Sequence, residues 1–335
     1  MVVWSVRASL IRATRRGTPH GVSRFGKADD LMERVASRME PRIRAAFLTA
    51  VSKTRIPVGA LTDVLEAGDL DAAMKLITGS LALDPKVAEG LREAIAATFT
   101  AVARPTAGSL RFRFDMVSPQ AVKYAAGQSS RLIKGIGDNR AAMRRVIASG
   151  FTEGIPPRAL ARDVEQLIGL TETQTGQVTN YKAGRRAAGL TEARVQELGD
   201  RFYRKLLRRR ATVIARQESV TASLKGKLAA WDEAIEQEVI DPAVTAKVWI
   251  TAYDERVCSI CRPMHNKVVA LVGGEFNTLK GNDELTPKQV KSVKAFNGGL
   301  SEAGSAHILC RCGVVLRVFD TPAELVGALE AGALT

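Results

Sequence analysis

The sequence has no long apolar run and few aromatic residues, which make up 5% of its 335 positions. No stretch approaches the roughly 20 apolar residues that a membrane helix needs. The opening residues MVVWSV reach Arg7 too soon to form the apolar core of a signal peptide. These absences predict a chain that is made and kept in a cytosol and has no membrane partner. The length predicts one to three domains with a real hydrophobic core.

Acidic residues are also scarce, since 35 Asp and Glu face 49 Lys and Arg, for a formal net charge of +14. Such a surplus favours a polyanionic partner, most often nucleic acid, and a solvated basic surface is the plainer alternative. Residues 1–28 contain no acid at all, and we interpret them as a flexible basic arm. An organelle transit peptide is the alternative interpretation. The basic residues of this arm are Arg7, Arg12, Arg15, Arg16, Arg24 and Lys27.

Helical periodicity dominates the first three quarters of the chain. Residues 29–108 are predicted to form an N-terminal helical domain that ends at a Pro-Thr-Ala-Gly turn over 105–108. Residues 109–114 alternate between apolar and basic side chains, which predicts a short strand or an extended connector. A central helical domain is expected over 109–244. The apolar positions that recur every fourth residue near the start are Leu31, Val35, Met39, Ile43 and Phe47.

One long helix is predicted from Glu192 to about Glu238, and it carries a basic stripe. The stripe residues lie at i, i+3, i+4 and i+7 and therefore share one face. No acid lies at i+4 between positions 201 and 216, which favours sequence-independent contact with phosphates over a solvated, ion-paired face. The stripe consists of Arg201, Arg204, Lys205 and Arg208, and Arg209 and Arg210 extend it.

The amino-acid composition changes after Asp241-Pro242. Segments rich in β-branched residues predict strands at 247–253, 267–273 and 313–319. We therefore expect a small α+β domain over 245–320, followed by a tail over 321–335 that forms a short amphipathic helix or frays. The predicted fold class is a mainly α-helical N-terminal and central region with a small α+β C-terminal domain.

All four cysteines lie between 258 and 312, and a reducing cytosol gives no reason to cluster them for disulfides. Cys258 and Cys261 have C-x-x-C spacing, and Cys310 and Cys312 point to the same side if they lie on a strand. His307 is either a fifth candidate ligand or a hydrogen-bond partner of one. The pattern predicts a structural zinc site. Buried free thiols and a late disulfide stay open, because 48 residues separate the pairs.

Three further polar residues could be read as functional. His265, four positions after Cys261, lies in a turn-like sequence, and we interpret it as a surface histidine. Asp254 and Glu255 could act as acid and base near a metal. A turn with surface charge is the preferred interpretation, because nothing in the sequence supplies a metal-held water with a paired base.

Six segments follow one another in order between about 111 and 319: RFDMVSPQAVKYA (113–125), GFTEGIPPRALARDVEQLIGLTETQ (150–174), TNYKAGRRAAG (179–189), ATVIARQES (211–219), WITAYDERVCSICRPMHNKVV (249–269) and HILCRCGVVL (307–316). This series resembles the phage head morphogenesis (minor head, Mu F-like) family. Two departures are Ser305-Ala306, where the family has a proline pair, and Gln217, where its helix motif has threonine. Neither departure removes a candidate metal ligand.

The resemblance implies a low-copy structural protein of the virion head that resides in the host cytoplasm during assembly. It implies portal protein, other head proteins and packaged DNA, bound non-specifically, as partners. No enzymatic activity or small-molecule substrate is expected. The alternatives are a zinc-stabilised nucleic-acid-binding protein and a metal-dependent hydrolase or nuclease. The motif residues with an implied structural role are Arg216, Glu218, Trp249 and Asp254; the first two lie two apart on a helix and do not face each other.

Overall fold

The protein is described by a computed structural model over residues 22–81, 85–114, 119–251, 257–277, 285–296, 306–307, 310 and 312–334. It is mainly α-helical with a small C-terminal sheet, which confirms the predicted fold class. Most of the predicted basic arm lies outside the described residues, and the first described helix begins at Val22. The helices before the sheet are α1 (Val22–Lys53), α2 (Val58–Glu66), α3 (Leu70–Ser80), α4 (Pro85–Ser109), α5 (Pro119–Ile136), α6 (Arg140–Thr152), α7 (Pro157–Glu165), α8 (Glu172–Ala187) and α9 (Glu192–Glu236).

The C-terminal elements confirm the three predicted strands. A 3-10 turn, Pro242–Val244, leads into β1, and a second, Arg262–Met264, precedes β2. None of the described helices combines the length and apolarity that a membrane crossing requires. The remaining elements are β1 (Thr245–Ile250), β2 (Val268–Ala270), α10 (Pro287–Phe296), β3 (Gly313–Val318) and α11 (Pro322–Ala331).

The chain divides into two compact units that interleave along the sequence. Unit 1 comprises Met1–Glu40, Ala96–Val122 and Arg216–Thr335, and unit 2 comprises Pro41–Ile95 and Lys123–Ala215. Four helices, α1, α4, α5 and α9, each contribute residues to both units. The consecutive segments proposed from composition are a different partition and stay a prediction.

Unit 1 contains a three-stranded antiparallel sheet in the order β2-β1-β3. The central strand β1 is buried along its whole length, and it pairs with β3 from Thr245↔Val318 to Ile250↔Gly313. Alternate residues of β1 therefore enter two cores. Trp249 enters the larger core, whereas Val248 packs toward Leu325 of α11.

The helix stop predicted at 105–108 is wrong, because α4 continues through Pro105 to Ser109. A proline removes one N–H donor and disfavours a helix interior, which is the basis of the predicted stop. Burial overrides this local cost. Val102 is fully buried, and the hydroxyl of the buried Thr106 donates to the Val102 carbonyl at 2.8 Å.

The short strand or connector predicted at 109–114 is the end of α4 followed by a turn. The N–H of Leu110 donates to the carbonyl of Ala107, and Arg111 adopts a left-handed conformation with φ of 66°. The alternation of apolar and basic residues arises because Leu110 and Phe114 are buried while Arg111 and Arg113 are exposed. Period-two burial in this segment comes from a turn that packs on a core, without strand pairing.

Unit 2 contains a buried ionic network that the sequence analysis did not anticipate. The side chain of Lys182 in α8 is only 1% exposed, and its ammonium donates to Asp163 at 2.6 Å, Gln166 at 2.5 Å and Gln196 at 3.0 Å. These three acceptors satisfy all three N–H groups of the lysine. Gly199 leaves room for the lysine stem, because a Cβ at that position would lie 2.1 Å from Cε of Lys182.

Arg186, one turn after Lys182, completes the network. Its guanidinium bonds Asp163 at 2.8 Å and makes two hydrogen bonds to Glu192 at 2.8 and 3.0 Å. Burial lowers the pKa of Lys182, although the Asp163 charge acts in the opposite direction. Burial also disfavours the charged form of Glu192, but hydrogen bonds from Arg186 and Gln196 outweigh it and lower the pKa of that carboxyl. The basic segment 179–189 therefore ties α7, α8 and α9 together within unit 2.

Candidate metal centre

Cys258 and Cys261 lie on a tight turn between β1 and β2. The backbone N–H groups of Cys261 and Arg262 both donate to the carbonyl of Cys258, at 3.1 and 3.0 Å. The 3-10 turn Arg262–Met264 continues directly from this point. Such a turn places the two sulfurs of a C-x-x-C pair on one side of the chain.

The other three donors lie on the segment that enters β3. The N–H of Cys310 donates to the carbonyl of His307 at 3.1 Å, so these residues share one turn. Cys312 comes directly before Gly313, which pairs with Ile250 at the end of β1. In an antiparallel pair, the chain leaving one strand lies beside the chain entering the other. The β1–β3 pairing therefore brings together the two cysteine pairs that are far apart in sequence.

The structure places all five predicted donors in one cluster. Nε2 of His307 lies 3.0 Å from Sγ of Cys258 and 3.3 Å from Sγ of Cys261. Sγ of Cys261 lies 3.6 Å from Sγ of Cys310. The donor atoms form two overlapping groups, within each of which all atoms lie within 4.8 Å, and Cys261 belongs to both. The groups are Cys258, Cys261 and His307, and Cys261, Cys310 and Cys312.

The cluster lies inside the larger hydrophobic core of unit 1. Cys261, Cys310 and Cys312 are buried, whereas Cys258 and His307 are half-buried. The core that surrounds them includes Trp231, Trp249, Ile260, Met264, Leu271, Phe276, Val293, Ala306 and Val314. Apolar packing therefore covers the inner sulfurs, and solvent reaches the cluster on the side of Cys258 and His307.

The pKa values of the four thiols are shifted in opposite directions. Hydrogen bonding with Cys261, helped by His307 and opposed by burial, lowers the pKa of Cys258 to about 4. Bonds with Cys261 and Cys312 also lower the pKa of Cys310, whereas the pKa of Cys261 is raised because it donates to Cys258 and Cys310. A bond with Cys261 acts to lower the pKa of Cys312, but Cys310 and burial outweigh it and raise that pKa. A bound cation would take the place of the retained protons.

These residues fit a thiolate-bound metal. Sulfur and imidazole donors suit Zn²⁺, Cu(I) and iron–sulfur clusters and do not suit Mg²⁺ or Ca²⁺. A buried polar group supports this fit: the indole Nε1 of Trp249 has no geometrically complete hydrogen bond among the described residues. That N–H interacts with the Cys312 sulfur and favours its thiolate form. A metal-bound thiolate would satisfy the buried indole donor, as buried Trp N–H groups require.

The remaining motif residues lie in other surroundings. Arg216 of α9 forms ion pairs with two carboxylates of α1, Glu33 and Glu40, the latter at 2.8 Å. Glu218 is buried in the same unit. Asp254 and Glu255 lie outside the described residues. Arg216 therefore holds two helices of unit 1 together and stands apart from the sulfur cluster.

His265 is half-buried, which corrects its interpretation as a surface histidine. Its Nδ1 accepts a hydrogen bond from the backbone N–H of Thr251 at 3.3 Å, and burial lowers the pKa of its imidazole. Nδ1 thereby contacts the first residue after β1. His265 belongs to neither donor group of the cluster.

The basic stripe is more heterogeneous than its spacing suggests. Arg201 and Arg204 are ion-paired with acids one turn earlier, Glu197 and Asp200, each at 2.6 Å. The prediction that these two arginines lack acidic partners is therefore wrong, because the partners lie at i−4 instead of i+4. Lys205 and Arg208 are exposed and form no ion pair within the described ranges. Arg210, included as an extension, is half-buried and donates to the carbonyls of Gly169 and Gly135 at 2.6 and 3.0 Å.

A buried lysine that is not predicted from the sequence lies beside the sheet. Lys227 of α9 is buried, its ammonium donates to the carbonyl of Val314 at 2.9 Å, and it lies 5.7 Å from the ring of Trp231. The N–H and C=O of Trp249 both bond toward the β2 side, so Val314 points its carbonyl away from β1. Lys227 therefore blocks the outer edge of β3 at this residue. The i, i+4 spacing of Lys227 and Trp231 was the available signal.

No family model, curated protein or solved structure matches this chain. The resemblance to the phage head morphogenesis family therefore rests on the ordered motifs alone. Within the described residues, the candidate functional site is the buried cluster of four cysteines and one histidine.

Proposed function

We propose that this protein is a structural component of a phage head, a minor head protein whose C-terminal region is held together by zinc. The observation that carries the zinc part is the convergence of four sulfurs and one imidazole nitrogen, with three of the sulfurs inside a hydrophobic core. The ordered motifs between about 111 and 319 support the head assignment. Portal protein, other head proteins and packaged DNA are the partners in this proposal, and the virion head, after assembly in the host cytoplasm, is its location.

Zinc is the metal that best suits the donors. It takes four ligands in tetrahedral geometry and is bound by cysteine and histidine in structural sites. A catalytic zinc site keeps one position for water, whereas this cluster offers five protein donors for four positions. The surplus of protein donors favours a structural role over the alternative of a hydrolase or nuclease.

The head assignment predicts where the protein is found. We expect it to co-purify with portal protein in proheads or virions of its phage, at low copy number, and to turn over no substrate. Quantitative mass spectrometry of gradient-purified particles measures this, with a cytosolic host protein as the control for contamination. Absence from both proheads and virions would contradict the head assignment and leave the zinc proposal standing.

DNA contact is a second part of the proposal, supported by the exposed cations of α9. Lys205 and Arg208 form no ion pair with any described residue, whereas Arg201 and Arg204 must first leave exposed ion pairs that are worth about 0–1 kcal/mol each. Replacing Lys205 and Arg208 with glutamine is therefore expected to reduce the salt dependence of DNA binding by about two units, equally for all sequences. The same change at Arg201 and Arg204 should reduce it by less.

The matched control replaces Arg144 and Arg145, two exposed arginines of α6 that pair with Asp71 and Glu172. Binding of a labelled duplex, measured over a range of salt concentrations, gives the slope for each variant. If the Lys205/Arg208 variant keeps the slope of the unmodified protein, the stripe has a packing or protein-contact role instead.

A further inference from the structure

Five donors compete for four metal positions, and their contacts distinguish ligands from neighbours. Zn–S bonds of about 2.3 Å and Zn–N bonds of about 2.0 Å place two thiolates about 3.8 Å apart, and a thiolate and an imidazole nitrogen about 3.5 Å apart, at tetrahedral angles. The sulfurs of Cys261 and Cys310, at 3.6 Å, are close to the first value. Nε2 of His307 lies 3.0 Å from Sγ of Cys258 and 3.3 Å from Sγ of Cys261, and both distances are shorter than the second value, the first by about half an ångström. Cys258 and His307 are thus spaced as hydrogen-bond partners, of which one binds the metal.

The backbone identifies Cys258 as the ligand of that pair. Cys258 shares one turn with Cys261, whose N–H donates to the Cys258 carbonyl at 3.1 Å, so the two residues form a C-x-x-C pair with the spacing of structural zinc ligands. Nε2 of His307 lies within 3.3 Å of both sulfurs of that pair, a position from which one N–H donor can reach either thiolate. His307 then acts as an N–H donor that orients and partly neutralises this ligand, as partners outside the coordination sphere do at other metal sites.

In the second donor group, Trp249 donates an indole N–H to Cys312 as His307 donates to Cys258. Trp249 pairs with Val314 across the sheet, so Cys312, two residues earlier, is its diagonal neighbour on the same face. The indole N–H interacts with the Cys312 sulfur and lacks any other acceptor among the described residues. The ring itself is held in place by full burial and by an edge-on contact with Phe276, at 5.3 Å between centroids.

We infer that the metal is bound by four thiolates, those of Cys258, Cys261, Cys310 and Cys312, and that His307 and Trp249 are positioning residues that donate N–H···S hydrogen bonds to Cys258 and Cys312. This inference rests on the metal site of the proposed function and specifies its ligand set. It separates the five clustered donors into four ligands and one neighbour, and it adds a tryptophan that ligand spacing in the sequence does not reveal.

X-ray absorption of the zinc-loaded full chain tests the ligand set without any variant. We expect a single shell of four sulfurs at about 2.3 Å and no imidazole contribution. Three sulfurs and one nitrogen would overturn the four-thiolate set and leave the zinc proposal intact. Failure of the reduced full chain to retain zinc would overturn the proposed metal site itself, so the two failures are distinguishable.

Cobalt substitution tests the two positioning residues. His307→Gln is expected to keep one cobalt per chain and the full intensity of the sulfur-to-cobalt charge-transfer band, whereas Cys312→Ser should lose about a quarter of that intensity if one of four ligands is lost. Trp249→Phe should keep the intensity and shift the band to lower energy, because removal of an N–H donor raises the energy of the sulfur electrons. Trp231→Phe, in the same core, is the control and should not shift the band. Loss of the bound cobalt, or of its tetrahedral d–d bands, in His307→Gln overturns the role of His307.

Trp249→Phe could fail to fold because the ring is fully buried, so a second measurement uses the unmodified chain. The chain has three tryptophans. In the cobalt-loaded protein carrying ¹⁵N-indole tryptophan, we expect an exchangeable indole N–H resonance with a large hyperfine shift, since Trp249, of the two tryptophans that the structure describes, bonds a ligand sulfur. Ordinary shifts for all three indole N–H groups would overturn the role of Trp249.

Discussion

Removal of the metal is expected to unfold the part of unit 1 that packs around the cysteine cluster. Ligand binding stabilises the folded state by about 4 kcal/mol when free zinc exceeds its Kd a thousandfold. Chelation removes this contribution and leaves several thiols buried in an apolar core without a cation. Cys261→Ser should have the same effect, because Cys261 belongs to both donor groups. Fluorescence of the buried Trp231 and Trp249, followed during thermal unfolding with and without chelator, measures the change.

The matched control for this experiment is Ser259→Ala. Ser259 lies between the two cysteines of the turn and is exposed, so its replacement alters the same loop and removes no metal ligand. We expect its melting temperature to stay within a few degrees of that of the unmodified protein. Protein that is free of metal by elemental analysis, yet melts identically in chelator, would contradict a structural metal.

Lys182→Met is expected to destabilise unit 2 by about 3–5 kcal/mol, the usual result of removing one partner of a buried ion pair. The substitution keeps the length of the side chain and removes the cation on which three acceptors converge. Asp163, whose side chain is 9% exposed, then retains only the charge of Arg186. Chemical denaturation, analysed for the transition of unit 2, gives the loss in the free energy of unfolding.

An exposed ion pair of the same unit provides the comparison. Arg144 and Asp71 lie 2.9 Å apart, with side chains 51% and 84% exposed. Solvent screens such a pair, so Arg144→Met should cost no more than about 1 kcal/mol. Equal losses in the two variants would show that burial does not raise the contribution of Lys182, and the network would then have no special role in the stability of unit 2.

Several features of the fold could be predicted because their causes are local. Helical periodicity, the long helix from Glu192 and the β-branched strands each depend on residues within a few positions of one another. The predicted end of the helix at Pro105 is wrong because a local rule does not include tertiary packing. Burial of Val102 and Thr106 outweighs the one hydrogen bond that the proline removes. The ion pairs of Arg201 and Arg204 were readable from i−4 spacing and were missed because only i+4 was considered.

The sequence by itself determined the kinds of donor, the C-x-x-C spacing and the strand before which the second cysteine pair lies. Only the tertiary structure decided that the pairs meet, because the β1–β3 register closes the 48 residues between Cys261 and Cys310. It also decided that Lys182 is a buried cation and Arg208 an exposed one, although both occupy basic helical segments. Spacing along the chain determines which side chains share a face of one element, whereas packing of elements distant in sequence determines what that face contacts.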